Sequence, residues 1–343
     1  MFKKIFSLIS AFVIFTIMTA IPCFAETEIV KTTVDVPPKI VFIGDSIAAG
    51  YGLEGYSDKD LYSCQSYAVI LGDEYTKVLD GICEEKMIND AVSGDTSQQL
   101  LSHIENGEFD KDFKDSDAVV ISIGGNDILG IFLEFLQNDV GITQDTTMDE
   151  IMDKFSDFFG IARAYSQMAD DMDNAIVEFG TNIEKIITAI QSRTDAQIIY
   201  QTQYDPLDSF KDIPFIKDLS AKEIGKINEE IANHATTDDG KQRYIIADIF
   251  TEFSGKSKEL TNIDSFDIHP NAEGHKLISQ IVDTAIRTQK YTYEQEVVIP
   301  ESNSISQTTI FVVLSLFLLG ILTLLLVLII KRNRTRKNER TQK

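Results

Sequence analysis

A short apolar segment followed by a serine constrains the fold more than any other part of this chain. Residues 40–43, Ile-Val-Phe-Ile, are β-branched or aromatic without interruption, which is typical of a buried strand. Gly44, Asp45 and Ser46 follow directly and predict a turn at the carboxyl end of that strand. Because ligands of open parallel sheets bind at this edge, we expect Ser46 to lie at a functional site.

Further strand-like runs recur along the chain and alternate with segments of helical periodicity. Residues 182–190 and 223–231, for example, each combine an apolar stripe with a charged back, as helices covering a sheet do. This alternation predicts a single α/β domain with a parallel sheet covered by helices on both faces. The five expected strands are residues 40–43, 87–92, 118–123, 197–201 and 244–249.

Both ends of the chain carry apolar segments. Residues 1–25 contain two lysines, a long apolar run and a terminal small residue, which predicts a cleaved secretory signal peptide, with an uncleaved anchor as the alternative. Residues 310–330 contain no charge and would span about 31 Å as a helix, close to the thickness of a bilayer core. We therefore predict a transmembrane helix there, with a buried core helix as the alternative.

Charge predicts how the chain is oriented and which partners it avoids. Residues 331–343 form a basic tail, which is expected on the cytoplasmic side, so the rest of the chain is expected outside the cell membrane. The net charge of the whole chain is −23; without the signal segment and the tail it is −31, from 22 basic and 53 acidic residues. Such an acidic surface argues against nucleic acid as a partner.

Two smaller features complete the domain plan. Residues 289–309 are polar, with one proline and several serines, and predict a stalk between the domain, residues 39–288, and the membrane. Cys64 and Cys83 are the cysteines left after the signal peptide, and in an oxidising compartment they form either one disulfide or two free buried thiols.

Four segments that follow predicted strands carry the parts of a hydrolytic site. Ser46 is a weak nucleophile unless a base and an oxyanion site reach it. Gly94 follows the second strand and lets a backbone N–H approach a reacting atom, and Asn126 after two glycines can aim its side-chain amide at a negative oxygen. His269, in the loop before the last helix, supplies a base.

In this order and at these spacings, the segments Gly44-Asp-Ser46, Gly94, Gly-Gly-Asn126 and His269 resemble the SGNH or GDSL hydrolase family of esterases and lipases, over about residues 39–287. The resemblance implies a three-layer α/β/α, flavodoxin-like fold with a five-stranded sheet in the order 2-1-3-4-5. It also implies Ser46 as nucleophile, His269 as general base, and the Ser46 N–H, Gly94 and Asn126 as the oxyanion hole. No cofactor is expected.

The chain departs from the family pattern at the acid. Family members usually carry an aspartate three residues before the histidine, where this chain has Phe266. Asp267 is the first choice for the acid, because a carboxylate must accept from one imidazole nitrogen while the other faces Ser46. Asp264 and a backbone carbonyl are the alternatives.

Less specific interpretations of the same residues compete with this site. Ser46 alone could be a helix N-cap. Asp45, Asp95, Asp127 and Asp267 all follow expected strand ends and could instead bind a hard cation. The chain as a whole could be a surface binding module that retains the fold without catalysis.

Residues 128–180 form an apolar, methionine-rich insertion between one strand and the helix expected before the next. It is either a lid or acyl-chain pocket at the active edge, or a pair of amphipathic helices that complete the core. The expected activity is hydrolysis of a carboxyl ester. Its substrate is a lysophospholipid or other acyl ester, or an O-acetyl group of a polysaccharide.

Overall fold

The computed structural model describes residues 27–82, 86–143, 146, 150, 153–154, 158–209, 214–298 and 307–340. The predicted signal peptide, Cys83 and residues 299–306 of the predicted stalk lie outside these residues. The chain divides into two compact units, one of residues Lys31–Tyr293 and one that comprises Met1–Val30 and Glu294–Lys343.

The larger unit is built on a five-stranded sheet in which every adjacent pair is parallel. The strands follow β1 (Thr27–Val34) along the chain and are β2 (Lys39–Gly44), β3 (Lys86–Asn89), β4 (Ala118–Ser122), β5 (Gln197–Gln201) and β6 (Ile245–Ala247). Their order is β3-β2-β4-β5-β6, which is 2-1-3-4-5 when the sheet strands alone are numbered. The predicted order is therefore confirmed.

Alternate side chains of the central strands enter different cores. On β2, Val41 and Ile43 belong to one cluster of buried apolar residues, whereas Ile40 and Phe42 belong to the other. A strand alternates its side chains between the two faces of the sheet, so the two clusters are the two faces. Both faces are covered, and the three-layer α/β/α architecture is confirmed.

Helices supply the outer layers. The helices Tyr67–Val78 and Ala272–Ile286 pack on the Ile40 face. The helices Ser97–Glu105, Phe158–Gln191 and Pro214–Asn233 pack on the Val41 face. The helices are α1 (Ser46–Ala49), α2 (Tyr67–Val78), α3 (Ser97–Glu105), α4 (Asp110–Phe113), α5 (Gly125–Glu134), α6 (Phe158–Gln191), α7 (Pro214–Asn233), α8 (Ile249–Phe253), α9 (Ser257–Leu260), α10 (Ala272–Ile286) and α11 (Gln307–Arg340), with a π-helix at Phe135–Val140 and a 3₁₀ helix at Ile263–Ser265.

Two strands are shorter than predicted, and both end where a polar side chain or a turn begins. The strand predicted at 87–92 stops at Asn89, after which the chain turns. The strand predicted at 244–249 covers only Ile245–Ala247, because the side chain of Asp248 accepts a hydrogen bond from the Thr251 N–H and caps α8. Apolar character alone did not reveal this helix start.

The predicted insertion serves the core and also the sheet edge. Most of its described residues belong to α5, the π-helix and the part of α6 up to Gly180. Phe135, Met168 and Met172 are buried in the core, as expected for helices that complete it. Other residues of α5 face a cleft at the edge of the sheet. Residues 144–145, 147–149, 151–152 and 155–157 lie outside the described residues.

The second unit contains a helix long and apolar enough to cross a membrane. α11 is 34 residues long, and its window Leu314–Arg332 has a mean hydropathy of 2.7 with no residue buried. Part of the predicted stalk is instead β7 (Tyr291–Val298), which pairs with β1 in a separate two-stranded sheet. It begins with Tyr-Thr-Tyr and ends with Val-Val, aromatic and β-branched residues that favour strands.

Candidate active site

Ser46 lies immediately past the first strand of the sheet, as predicted. It is the first residue of α1, and the cap of that helix is Asp45, whose Oδ1 accepts a hydrogen bond from the Ile47 N–H at 3.0 Å. Gly44 has a φ of +131°, and a Cβ there would lie 1.9 Å from the carbonyl oxygen of Ser122 on β4. Only glycine permits this close turn. Because Asp45 occupies the cap position of α1, the interpretation of Ser46 as an N-cap residue is wrong.

His269 joins Ser46 to an acidic side chain. Its Nε2 lies 3.0 Å from the Ser46 Oγ, and its Nδ1 lies 2.5 Å from the Oδ1 of Asp267. The carboxylate oxygen must accept, so Nδ1 carries a proton and Nε2 is left as the acceptor that faces the hydroxyl. This is the arrangement that a serine hydroxyl needs in order to lose its proton.

The two candidate acids differ in position. Asp267 contacts the imidazole, and its Oδ1 also accepts a hydrogen bond from the His269 backbone N–H at 3.0 Å. Asp264 is exposed in the 3₁₀ helix, and within the described chain it has no hydrogen bond to His269. Phe266, at the usual family position of the acid, is 63% exposed and adopts a left-handed conformation with φ of +58°. The geometry favours Asp267.

The two predicted oxyanion donors lie on adjoining segments. Gly94 is exposed with a φ of +91°, and a Cβ there would meet no atom within 4 Å, so its backbone is open to solvent. The Asn126 amide donates one hydrogen bond, of 2.9 Å, to the carbonyl oxygen of Asp95. Nδ2 carries two hydrogens, so one remains available. Asn126 lines the same cleft as Ser46 and His269.

A buried polar network supports Asn126 from behind. The carboxylate of Asp127 accepts hydrogen bonds from the backbone N–H (3.0 Å) and hydroxyl (2.5 Å) of Ser97 at the start of α3. Asn182 of α6 donates to that hydroxyl at 2.9 Å. Burial nevertheless raises the pKa of the Asp127 carboxyl. Three helices are thus joined beside the segment that carries Gly94.

His103 contacts the residue after Gly94, which sequence reasoning missed. Its Nε2 lies 3.3 Å from the Oδ2 of buried Asp95, an ion-pair distance without hydrogen-bond geometry, and its Nδ1 lies 2.7 Å from Glu108. Burial raises the pKa of the Asp95 carboxyl. The spacing of Asp95 and His103 matches no known motif, so the sequence offered no reason to pair them. Asp95 precedes α3 and His103 lies within it.

The four aspartates that could have formed a cation site have separate partners. Within the described residues, no group of three or more His, Cys, Asp or Glu side chains is arranged to hold a metal ion. The pairs are Asp45 with Ile47 and Ser122, Asp95 with His103, Asp127 with Ser97, and Asp267 with His269.

A large cleft opens beside Ser46, Asn126 and His269. Its volume is about 1010 Å³. Besides the polar residues at Ser46, the lining includes the polar side chains of Gln203, Ser220 and Glu223. The other walls are apolar and come mainly from α5, the π-helix and α7, through Ile128, Leu129, Phe132, Leu133, Leu136, Ile142, Met172, Leu219 and Ile224.

Tyr51 packs against the catalytic candidate His269, which the sequence analysis did not anticipate. The two ring centroids are 4.6 Å apart, and Tyr51 in turn contacts Tyr56 edge-on at 5.2 Å. Such ring contacts restrict the orientations open to the imidazole. Tyr51 follows α1 by two residues. Its closeness to Ser46 in the sequence is the one feature from which its place at the site could have been predicted.

Two other buried groups near the site have shifted pKa values. Burial lowers the pKa of His275 to about 3, and its Nδ1 accepts a hydrogen bond from the Tyr67 N–H at 3.2 Å, so it is a neutral packing residue. Cys64 is a buried free thiol whose pKa is raised by burial. Of the two predicted alternatives, the structure therefore has Cys64 without a disulfide, and Cys83 lies outside the described residues.

Asp45 should make stability depend on pH. Burial raises the pKa of its carboxyl to about 7 in the folded chain, from an ordinary value of 3.8, so the folded state holds a proton that the unfolded state loses. This contribution to the free energy of unfolding is full below about pH 4 and falls as the pH rises to about 7, by up to ~1.4 kcal/mol per pH unit.

Asp45→Asn should remove this fall, because an amide oxygen can still accept from Ile47 and Ser122 but does not titrate. We expect urea unfolding at pH 5 and at pH 8 to differ less for the variant than for the wild-type chain. Asp80→Asn, an exposed change of the same charge, is the control. An equal pH dependence in wild type and Asp45→Asn would contradict the prediction.

Comparisons with known proteins bear on the family and the fold of the chain. The family model for the GDSL-like Lipase/Acylhydrolase family matches residues 42–277. The uncharacterized protein YpmR of Bacillus subtilis (strain 168) is 27% identical over 262 residues, which cover 73% of this chain and 82% of that protein.

Among solved structures, the lipase Lip_vut3 from a goat rumen metagenome shares the fold, with a TM-score of 0.52 and 17% identity over 72% of this chain and 96% of that one. The family match spans more than half of the chain and includes Ser46, Gly94, Asn126 and His269. The chain therefore belongs to the GDSL-like lipase/acylhydrolase family and is a carboxylic ester hydrolase of the SGNH type.

Proposed function

We propose that Ser46 is the nucleophile of this hydrolase, with His269 as its general base and Asp267 as the acid that orients the imidazole. The observation that carries the proposal is the continuous chain of contacts from Ser46 Oγ to His269 Nε2, at 3.0 Å, and from His269 Nδ1 to Asp267 Oδ1, at 2.5 Å. Each atom is within reach of the proton it must exchange.

The chemistry follows from these positions. His269 Nε2 takes the hydroxyl proton as Ser46 Oγ attacks the ester carbonyl carbon, and Asp267 stabilises the imidazolium that forms. The negative oxygen of the tetrahedral intermediate is held by the N–H groups of Ser46 and Gly94 and by the second hydrogen of the Asn126 amide. The alcohol leaves with the proton from His269. Water then attacks the acyl-enzyme with the same histidine as base; the bond from the acyl carbon to Ser46 Oγ breaks, the carboxylic acid leaves, and His269 returns the proton to Oγ.

Ser46→Ala should abolish hydrolysis of a short p-nitrophenyl ester and labelling by a fluorophosphonate probe, because no other group replaces the attacking oxygen. Ser265→Ala is the matched control, since Ser265 lines the same cleft. We expect the control to retain activity. A Ser46→Ala variant that hydrolyses the ester as fast as wild type would remove Ser46 from the mechanism.

We further propose that the substrate is an ester of a long acyl chain, such as a lysophospholipid. A cleft of about 1010 Å³ with predominantly apolar walls lies beside Ser46, and it is far larger than an acetyl group requires. Burial of each additional methylene of an acyl chain in such a cleft would contribute about 0.8 kcal/mol. Removal of O-acetyl groups from a glycan is the second candidate, and it would leave the apolar walls without a ligand.

Filling the cleft should distinguish these substrates. Leu129→Trp adds bulk to an apolar wall, so we expect activity on a decanoyl ester to fall at least ~10-fold and activity on an acetyl ester to change less than about twofold. Val177→Trp, an exposed site on α6 outside the cleft, is the control. Strict acetyl preference in the wild-type chain would overturn the long-chain proposal.

The location of the domain is also a proposal: outside the cell and held by α11. It is supported by the apolar window Leu314–Arg332 and by the basic residues that follow it. Protease added to intact cells that express the chain with a C-terminal tag should digest the hydrolase domain and leave a short tagged fragment. A domain that is digested only after the cells are permeabilised would contradict this orientation.

A further inference from the structure

We propose that Asn262 is a positioning residue that holds the acid of this site and ties it to the loop beside the nucleophile. The inference rests on the proposed roles of Ser46, His269 and Asp267. Asn262 lies in the turn before the 3₁₀ helix, five residues before Asp267, and belongs to none of the four segments that carry the family resemblance.

The side-chain amide of Asn262 has two acceptors. Its Nδ2 lies 3.4 Å from the Oδ2 of Asp267 and 3.2 Å from the carbonyl oxygen of Gly52. An amide nitrogen donates two hydrogen bonds, so both of its hydrogens have acceptors. Asp267 in turn uses Oδ1 for His269 and Oδ2 for Asn262.

The backbone of Asn262 closes the same loop. Its N–H donates to the carbonyl oxygen of His269 at 2.9 Å, and its carbonyl oxygen accepts from the Ser265 N–H at 2.8 Å and the Asp267 N–H at 3.4 Å. Asn262 therefore contacts both ends of the segment from the acid to the base.

The short spacing between acid and base explains why such a residue is needed. Asp267 Oδ1 accepts both the backbone N–H and the ring N–H of a residue only two positions away, a contact made within one turn. The side chain of Asp267 is 30% exposed, so water competes for Oδ2. A bond from Asn262 to that oxygen fixes the carboxylate plane and with it the orientation of the imidazole.

The contact with Gly52 ties this loop to the nucleophile. Gly52 follows α1 by three residues, and a Cβ there would lie 2.9 Å from Asp267 Oδ2, 3.1 Å from Asn262 Nδ2 and 3.2 Å from His269 Cβ. The acid, its support and the base thus pack directly on the backbone that leads away from Ser46. A shift of the Asp267 loop would change the distance between His269 and the hydroxyl.

A double-mutant cycle in the full-length chain tests this role. In the wild-type background, Asn262→Ala should lower kcat for p-nitrophenyl acetate about 10-fold and leave KM within about twofold, because the substrate is still bound but the base is misplaced. In the Asp267→Ala background the same change should cost less than about twofold, since Asn262 then has no acid to hold.

Asn262→Asp, of nearly the same volume, guards against misfolding of the alanine variant. It should lower kcat further in the wild-type background, because two carboxylates then face each other, and should again have little effect in the Asp267→Ala background. Asn271→Ala is the matched control: Asn271 caps α10 and binds the carbonyl oxygens of Glu259 and Thr261, but does not contact Asp267. Its effect should be equal in both backgrounds.

Equal losses of kcat from the Asn262 variants in both backgrounds would show that Asn262 only holds the loop in place, and would overturn the proposal. An unchanged kcat in the wild-type background would also overturn it. A wild-type chain that neither hydrolyses the ester nor reacts with a fluorophosphonate probe would instead overturn the proposed serine mechanism, and this role with it.

Discussion

The contact between Ser46 Oγ and His269 Nε2 joins residues that are 223 positions apart, and the rest of the site depends on it. A parallel sheet makes such a contact possible, because the chain returns to the same edge after every strand. β2 ends two residues before Ser46, β3 leads to Gly94, β4 leads to Asn126, and the segment between β6 and the last helix of the domain brings in His269. The sheet order, with β2 between β3 and β4, sets the segments bearing Gly94 and Asn126 on either side of the one that bears Ser46.

The two sides of the site are supported differently. The side that carries Asn126 rests on partly or fully buried hydrogen bonds that link α3, α5 and α6 through Ser97, Asp127 and Asn182. In a protein interior an unpaired polar group costs several kcal/mol, so such a network is rigid once it is fully satisfied. The acid–base side is a surface turn with a partly exposed carboxylate, and Asn262 and Gly52 compensate for its exposure.

The apolar insertion performs two tasks with neighbouring side chains. Phe135 and Met172 are buried in the core, and Phe132, Leu133 and Leu136 line the cleft beside Ser46. The face of a helix that turns towards the sheet is therefore continuous with the face that would meet a substrate. Met172 suits such dual packing because the flexible methionine side chain fills irregular spaces.

The sequence by itself determined the strands, the alternation with helices, the apolar window at residues 310–330 and the loops that meet at the sheet edge. Each of these is a local pattern, since burial imposes a period on the residues that carry it. Strand ends were predicted less well, as at Asp248, because a single capping bond decides them.

Only the tertiary structure decided which carboxylate meets His269, and it revealed Tyr51, His103 and Asn262 as neighbours of the site. The sequence made Asp267 the first choice for the acid but left Asp264 open, since both are acidic residues close to one histidine. They are separated in space because the chain makes a 3₁₀ turn at Ile263–Ser265 and a left-handed residue at Phe266. Hydrogen-bond partners depend on distances of a few tenths of an ångström, and no residue pattern encodes those.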